Sequence, residues 1–222
     1  MIIMLTNDDG IDSKYLQYAK SILAKYGTVY TIAPSKEQSA KGMSLTIGGF
    51  NFKKIDEFNY SIDGTPVDCV NFALGGLKLN PDFIFSGVNA GYNLGFDTKY
   101  SGTVGACFQA QHFGYKTVAF SADNRGTSMM ERFFESTLEY ILDNDLLSSE
   151  YTLNVNFPRE TVLEPQGILH TELFYHDYSY EPDIMDNKFI PNRVLIKKEH
   201  LPYNSDAYAF RHGYTSITKI KN

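Results

Sequence analysis

The stretch that most constrains this chain is Ser86 to Ala106, SGVNAGYNLGFDTKYSGTVGA, which crowds glycine, asparagine and small hydroxyl residues together without an apolar period. It is expected to be a binding loop. Just before it, Pro81 to Phe85 (PDFIF) has the β-branched and aromatic content of a short buried strand, and just after it TVGACFQAQHFG has helical spacing closed by a glycine. A loop from strand to helix is where parallel α/β sheets place ligands: at the carboxyl ends of strands, beside helix amino termini whose free N–H groups face an anion.

The rest of the chain supplies the other elements of such a sheet. Met1 to Thr6 reads as a buried strand ending in Asn7-Asp8-Asp9-Gly10. Neighbouring side chains of an extended chain point to opposite faces, so Asp8 and Asp9 reach one ion only if the backbone has turned, as Gly10 permits. A solvated Asp-Asp-Gly turn is the plain alternative. Lys14 to Tyr26 carries Tyr15, Leu16, Ala19, Ile22, Leu23 and Tyr26 at helical spacing before Gly27, and Thr28 to Ala33 is a second strand. Strand, helix, strand over so short a span is a βαβ unit with a parallel pair. The loop from Pro34 to Ser44 then brings Gln38, Ser39, Lys41 and Gly42 to the same end of the sheet.

Leu45 to Asp63 reads as a small antiparallel hairpin appended to the sheet, and Thr65-Pro66-x-Asp68 as the capped start of a structural helix reaching about Leu74. Thr117 to Ser121 and Tyr151 to Phe157 are further strands. Ser128-x-x-Glu131 has the form of a capping box opening a helix that carries Met130, Phe133, Phe134, Leu138, Ile141 and Leu142 on one side. Alternating elements to this point predict a Rossmann-like, doubly wound, mostly parallel α/β sheet in residues 1–158. Beyond Arg159, residues 159–222 turn to proline, tyrosine and short β-like runs with no clear helix, a β-rich C-terminal appendage expected to mediate subunit contact. The final HGYTSITKI reads as a strand in search of a sheet, exchanged between subunits or folded back on its own.

Composition narrows the function classes. At 222 residues, 43% hydrophobic and 21% charged, the chain is ordinary globular material of one domain with an appendage. Nothing approaches the run of about 18 apolar residues that a spanning helix needs, and MIIMLTNDDG lacks the basic start and long apolar core of a signal peptide, so a cytosolic protein is expected. A formal net charge of −6 argues against a nucleic-acid or membrane surface. Cys69 and Cys107, both in helical segments, are expected to pack as small apolar residues rather than pair.

The strand-end loops converge on one chemistry. Asp8 and Asp9, Ser39 and Asn89 offer carboxylate, hydroxyl and amide oxygens, hard donors that suit Mg²⁺, Mn²⁺ or Ca²⁺ better than zinc. Asn89 and Asn93 lie among Gly87, Gly91 and Gly95, where backbone can approach a phosphate closely. Ser101-Gly102-Thr103 opens the next helix with two hydroxyls and free N–H groups. Lys41 and Arg125 are candidate phosphate contacts, Arg125 also reading as plain surface. The five histidines show no ligand spacing, and Tyr175, Tyr178 and Tyr180 read as arm packing that could also stack on a base.

NDDG at 7–10, QSAKGMSLT at 38–46, GTPVDCV at 64–70, the long motif at 86–106, NVNFP at 154–158 and SDAYAFRHGYTSIT at 205–218 together resemble the SurE family of metal-dependent nucleotidases. The resemblance implies removal of phosphate from nucleoside 5′- and 3′-monophosphates, with polyphosphate a further substrate in some members. It also implies one divalent ion, Mg²⁺ or Mn²⁺, held by the matching Asp8, Asp9, Ser39 and Asn89. Many relatives carry Ser-Gly-x-Ser where this chain has Ser39-Ala40-Lys41-Gly42. The expected mechanism is in-line attack by water, with Asp8 or Asp9 as base and Asn93 and the Ser101 to Thr103 helix start holding the other phosphoryl oxygens. Two other readings stand beside it: a phosphatase in which Asp8 forms an aspartyl-phosphate, and a non-catalytic nucleotide sensor. The expected partners are the nucleotide and further copies of the chain, as a homodimer or homotetramer.

Overall fold

A computed structural model describes residues 1–196, 198 and 200–222. Its centre is β1 (Ile2–Thr6), buried on both faces after its first residue. Alternation decides which neighbour each side chain meets. Ile3 and Leu5 point to one face, where α1 (Lys14–Leu23) and α4 (Ser128–Asp143) cover the sheet, while Met4 points to the other, among Cys69, Val70, Ala106 and Ala110 of α2 (Pro66–Asn71) and α3 (Gly102–His112). A continuous apolar run is therefore what the sheet requires here. In α1 the buried residues are Tyr15, Leu16, Ala19, Ile22 and Leu23, the stripe its spacing predicts.

The remaining strands are β2 (Thr28–Pro34), β3 (Phe52–Lys54), β4 (Asn59–Ile62), β5 (Phe83–Ala90), β6 (Thr117–Ala122), β7 (Thr152–Asn156), β8 (Ile168–Thr171), β9 (Tyr178–Tyr180), β10 (Asp183–Met185), β11 (Lys188–Ile190), β12 (Arg193–Leu195) and β13 (Thr215–Ile220). Eight of them join β1 in one nine-stranded sheet in the order β3-β4-β2-β1-β5-β6-β7-β13-β8, parallel throughout β4 to β7, with β3 and β13 reversed against their neighbours β4 and β7. The chain starts in the middle at β1, winds outward through β2, and returns past β1 to β5. This makes the fold doubly wound, with its switch point between β1 and β5. Phe85, Phe120, Phe134 and Phe157 pack as one aromatic knot beneath that point, with ring centroids 4.8 to 5.3 Å apart from Phe120 to each of the others.

Three expectations change. β5 does not end at Phe85: it continues to Ala90 past an irregularity between Ser86 and Asn89, so the loop begins five residues later than its composition suggests. Gly87 makes that possible, because a Cβ there would stand 2.4 Å from the Phe120 carbonyl oxygen. Second, Ser128 and Glu131 form no capping box. The start of α4 is held instead by Glu160, which accepts from the Ser128 hydroxyl and, at 2.9 Å, from the Met129 N–H. Third, the region beyond Arg159 does contain a helix, α5 (Asp206–His212), capped by Ser205 and stopped by Gly213 at φ 80°. The terminal strand, for which exchange and folding back were both open, lies within this chain between β7 and β8.

The β-rich appendage is a protruding hairpin. β9 pairs with β12 and β10 with β11, and the turn at Asp186 and Asn187 has both residues at positive φ, the geometry that suits a tight two-residue hairpin. Ile184, Met185 and Phe189 stand exposed on it.

Candidate active site

Asp8 and Asp9 lie just past the carboxyl end of β1, and Asn89 and Ala90 end the adjacent β5, so the switch point brings them together. The turn that carries the carboxylates is local. Asn7 closes on Gly10 through two side-chain hydrogen bonds, Nδ2 donating to the Gly10 carbonyl at 3.0 Å and Oδ1 accepting the Gly10 N–H at 3.2 Å. Gly10 takes φ 101° there, which an L side chain resists.

Asp8 is 3% exposed and accepts from the Thr103 hydroxyl at 2.5 Å. Burial away from water pushes its carboxyl up to about 6; the Thr103 hydrogen bond opposes that and the neighbouring Asp9 charge adds to it. Asp9 is also raised, chiefly by burial and further by Glu37, while the Ala90 N–H that donates to its Oδ2 at 2.9 Å works the other way. Among the described residues, no lysine or arginine forms an ion pair with either carboxylate.

The helix α3 aims its amino terminus at this pair. Ser101 is its N-cap, its Oγ accepting from the Val104 N–H at 3.1 Å, and the first-turn N–H groups of Gly102 and Thr103 have no acceptor within the helix. Gly102 is there for closeness. A Cβ at that position would stand 2.9 Å from the Asp8 Cβ and 3.0 Å from its Oδ2. Thr103 thus spends its hydroxyl on Asp8.

The loop after β2 joins the same end. The Gln38 N–H donates to the Asp8 carbonyl at 2.7 Å, and Gly42 donates to the Tyr100 carbonyl at 2.9 Å, tying the loop to both sides of the site. Ser39 is exposed and its hydroxyl donates to Glu37 at 2.7 Å. Lys41 is exposed on this loop. Asn89 donates its amide nitrogen to the Gly91 carbonyl at 2.8 Å, which orients its acceptor oxygen away from that bond.

Asn93 is held differently. It is 5% exposed, with one amide hydrogen given to Ser121 Oγ at 2.9 Å, its N–H to Asn156 Oδ1 at 2.9 Å, and its carbonyl accepting from Asn154 and Asn156. It pins the glycine loop to the ends of β6 and β7. Arg125 is committed to Asp123: Nε reaches Oδ1 at 2.8 Å, and the pair holds the Asp123 carboxyl down at about 2.

Glu37 is a third carboxylate that the sequence reading passed over. Its signal is position, three residues beyond the end of β2 as Asp9 is three beyond the end of β1. Asp206 was also missed. Its carboxylate accepts from Gly95 N–H at 2.7 Å and Phe174 N–H at 2.8 Å, fixing the glycine loop to the C-terminal segment.

A divalent cation fits this donor set. A buried and a half-buried carboxylate side by side without a bonded cationic side chain are costly as they stand, and neutral amide and hydroxyl oxygens complete a hard, oxygen-only environment. Among the described residues no group of three or more His, Cys, Asp or Glu is placed to hold an ion, so the site rests on the Asp8–Asp9 pair with neutral donors.

Fold and site define a doubly wound α/β protein with an acidic centre and a helix amino terminus at its switch point. The family model for survival protein SurE matches residues 3–180. The 5′-nucleotidase SurE of Histophilus somni (strain 2336) is 35% identical over 227 residues, covering 100% of this chain and 92% of the relative. That of Haemophilus influenzae (strain Rd) is 32% identical over 233 residues, covering 100% and 91%. The crystal structure of the SurE protein from Aquifex aeolicus superposes with a TM-score of 0.85 at 30% identity, covering 100% of this chain and 93% of that one. The chain belongs to the SurE family.

Proposed function

We propose that this chain is a nucleotidase: a metal-dependent phosphomonoesterase that hydrolyses nucleoside 5′-monophosphates, and 3′-monophosphates with them, to nucleoside and phosphate. The observation that carries this reading is the pair of buried Asp8 and half-buried Asp9 facing the amino terminus of α3 across a gap that only Gly102 leaves open. The names of the relatives supply the substrate class.

Asp8, Asp9, Ser39 and Asn89 would hold one divalent ion, Mg²⁺ or Mn²⁺. When bound, the ion supplies Lewis-acid stabilisation of the phosphoryl oxygens. The chain's own residues supply the rest. The N–H groups of Gly102 and Thr103, favoured by the helix dipole, donate to the phosphate oxygens turned toward them. Asn93 contributes its remaining amide hydrogen and keeps the loop in register, while Lys41 lends charge from the rim. One of the two aspartates takes the proton of the attacking water; Asp9, the less buried, is the more accessible to it. Thr103 keeps Asp8 oriented throughout.

In this reading residues 1–158 supply the catalytic core, and of residues 159–222, whose β8 and β13 join the main sheet, the hairpin of β9 to β12 supplies the oligomerisation surface. The exposed apolar hairpin supports a homodimer or homotetramer, and the lack, among the described residues, of any helix long and apolar enough to cross a membrane is compatible with a cytoplasmic enzyme. The test is phosphate release from a panel of 5′- and 3′-nucleoside monophosphates and short polyphosphate: release from the monophosphates is expected, and binding of all of them without release would make the protein a nucleotide sensor.

A further inference from the structure

The loop that follows β2 is exposed along most of its length, yet its backbone is tied down at several points. The Ser35 N–H donates to the Ile62 carbonyl at 2.7 Å, and the Gln38 N–H donates to the Asp8 carbonyl at the same distance. Further on, Gly42 is bonded to Tyr100, and the Ser44 carbonyl accepts from the Thr65 hydroxyl at 2.7 Å. α3 also presses on the loop: a Cβ at Gly105 would stand 2.6 Å from the Gly42 carbonyl oxygen. The loop is therefore a fixed wall of the site despite its exposure.

Glu37 and Ser39 flank Gln38, the residue tied to Asp8. The Cα of Ser39 follows that of Gln38 by about 3.8 Å, so Ser39 inherits the placement of the tie. What the backbone leaves open is the rotation of its hydroxyl. A serine hydroxyl has one hydrogen and two lone pairs, and only the lone pairs can meet a cation. Loop serines commonly spend a lone pair on a backbone N–H two residues on. Ser39 instead donates its hydrogen to Glu37 Oε1 at 2.7 Å. Glu37 is free for this task, since among the described residues it forms no ion pair. It does not make a third carboxylate ligand, because no group of three acidic, histidine or cysteine side chains among the described residues is placed to hold an ion.

We propose that Glu37 is a positioning residue: by taking the Ser39 hydrogen it turns the Ser39 lone pairs toward a divalent ion at Asp8 and Asp9. The inference rests on the metal-dependent reading above and adds to it the group that makes a neutral hydroxyl a usable ligand. Carboxylates that accept from a ligand's hydrogen act in this way around metal ions generally, and their loss weakens the ion without removing a ligand.

The test is calorimetric titration with Mn²⁺, with no nucleotide present, of the wild type, Glu37→Ala, Glu37→Gln, Ser39→Ala and the double variant Glu37→Ala with Ser39→Ala. Glu37→Ala and Ser39→Ala are each expected to raise the Kd about tenfold. The double variant is expected to be no weaker than the weaker single one, because both changes remove the same ligand. Glu37→Gln, whose amide oxygen accepts the hydroxyl as the carboxylate does, is expected to recover most of the affinity. Losses that multiply in the double variant overturn the proposal, since Glu37 then acts independently of Ser39. A glutamine variant as weak as the alanine one overturns it too, since charge and not the acceptor is then what matters. Wild-type binding left intact in Glu37→Ala overturns this proposal alone, whereas a wild type that binds no Mn²⁺ overturns it together with the metal-dependent reading.

Discussion

At the scale of the residue, Asp8 carries most of the burial cost of the proposed site. Its carboxyl is raised to about 6 in the fold, against an ordinary value of 3.8, so the folded state favours the protonated form. The stability this contributes is full below pH 4 and is lost as pH rises through 6. The loss amounts to about 3 kcal/mol in the metal-free protein. Asp8→Asn does not titrate and keeps an acceptor for Thr103. With chelator present, the variant is therefore expected to gain on the wild type in thermal midpoint between pH 4 and pH 7, and Mg²⁺ or Mn²⁺ is expected to raise the wild-type midpoint at pH 7. Equal midpoints across that range would contradict the burial argument. Thr103→Val removes the hydroxyl that orients Asp8 and is expected to weaken binding of the divalent ion about 10- to 100-fold by calorimetric titration, with the fold retained. Gly102→Ala would drive a methyl group against Asp8 and is expected to abolish turnover.

At the scale of the element, Glu160 is the cap that α4 takes from a distant part of the chain. Glu160→Ala is expected to cost about 1 kcal/mol and lower the thermal midpoint by about 2–4 °C, while Glu131→Ala, which breaks no cap, is expected to leave it nearly unchanged. The contrast also shows what a sequence can and cannot display. Elements driven by their own periodicity were legible: the stripe of α1, the apolar run of β1, the capped start of α2 at Thr65 and Asp68. Ser128-x-x-Glu131 misleads because its partner lies 32 residues away. The last residues of β5 were hidden for a related reason, since Ser86 to Ala90 owes its strand to β1 and β6 rather than to side-chain pattern. α5 is short, and its helical state depends on Ser205, Gly213 and the buried Asp206 more than on any amphipathic repeat. The site was more visible than these, because carboxylates at strand ends and a Ser-Gly-Thr helix start are chemical signals. What stayed hidden was division of labour: Thr103 serving Asp8, Asn93 serving the loop, and Glu37 and Asp206 entering by position alone.

At the scale of the molecule, one sheet gathers segments from the whole chain, and β13 carries the last residues back beside β7. The hairpin of β9 to β12 does not share in that sheet, and Ile184, Met185 and Phe189 leave apolar surface on it that a second copy would cover. Ile184→Lys with Phe189→Lys is expected to reduce the mass measured by light scattering toward that of a monomer; an unchanged assembly would place the contact elsewhere. The organisation of the fold around its switch point ends at one prediction, that the carboxylate pair and a divalent ion act together on a nucleotide. The measurement that tests it is phosphate release from adenosine 5′-monophosphate by the wild type and Asp8→Asn, after chelation and again with Mg²⁺ or Mn²⁺ restored. Release that requires the ion and falls at least about 100-fold in the variant is expected. Release that persists after chelation, or a variant with full turnover and unaltered metal affinity, would contradict it.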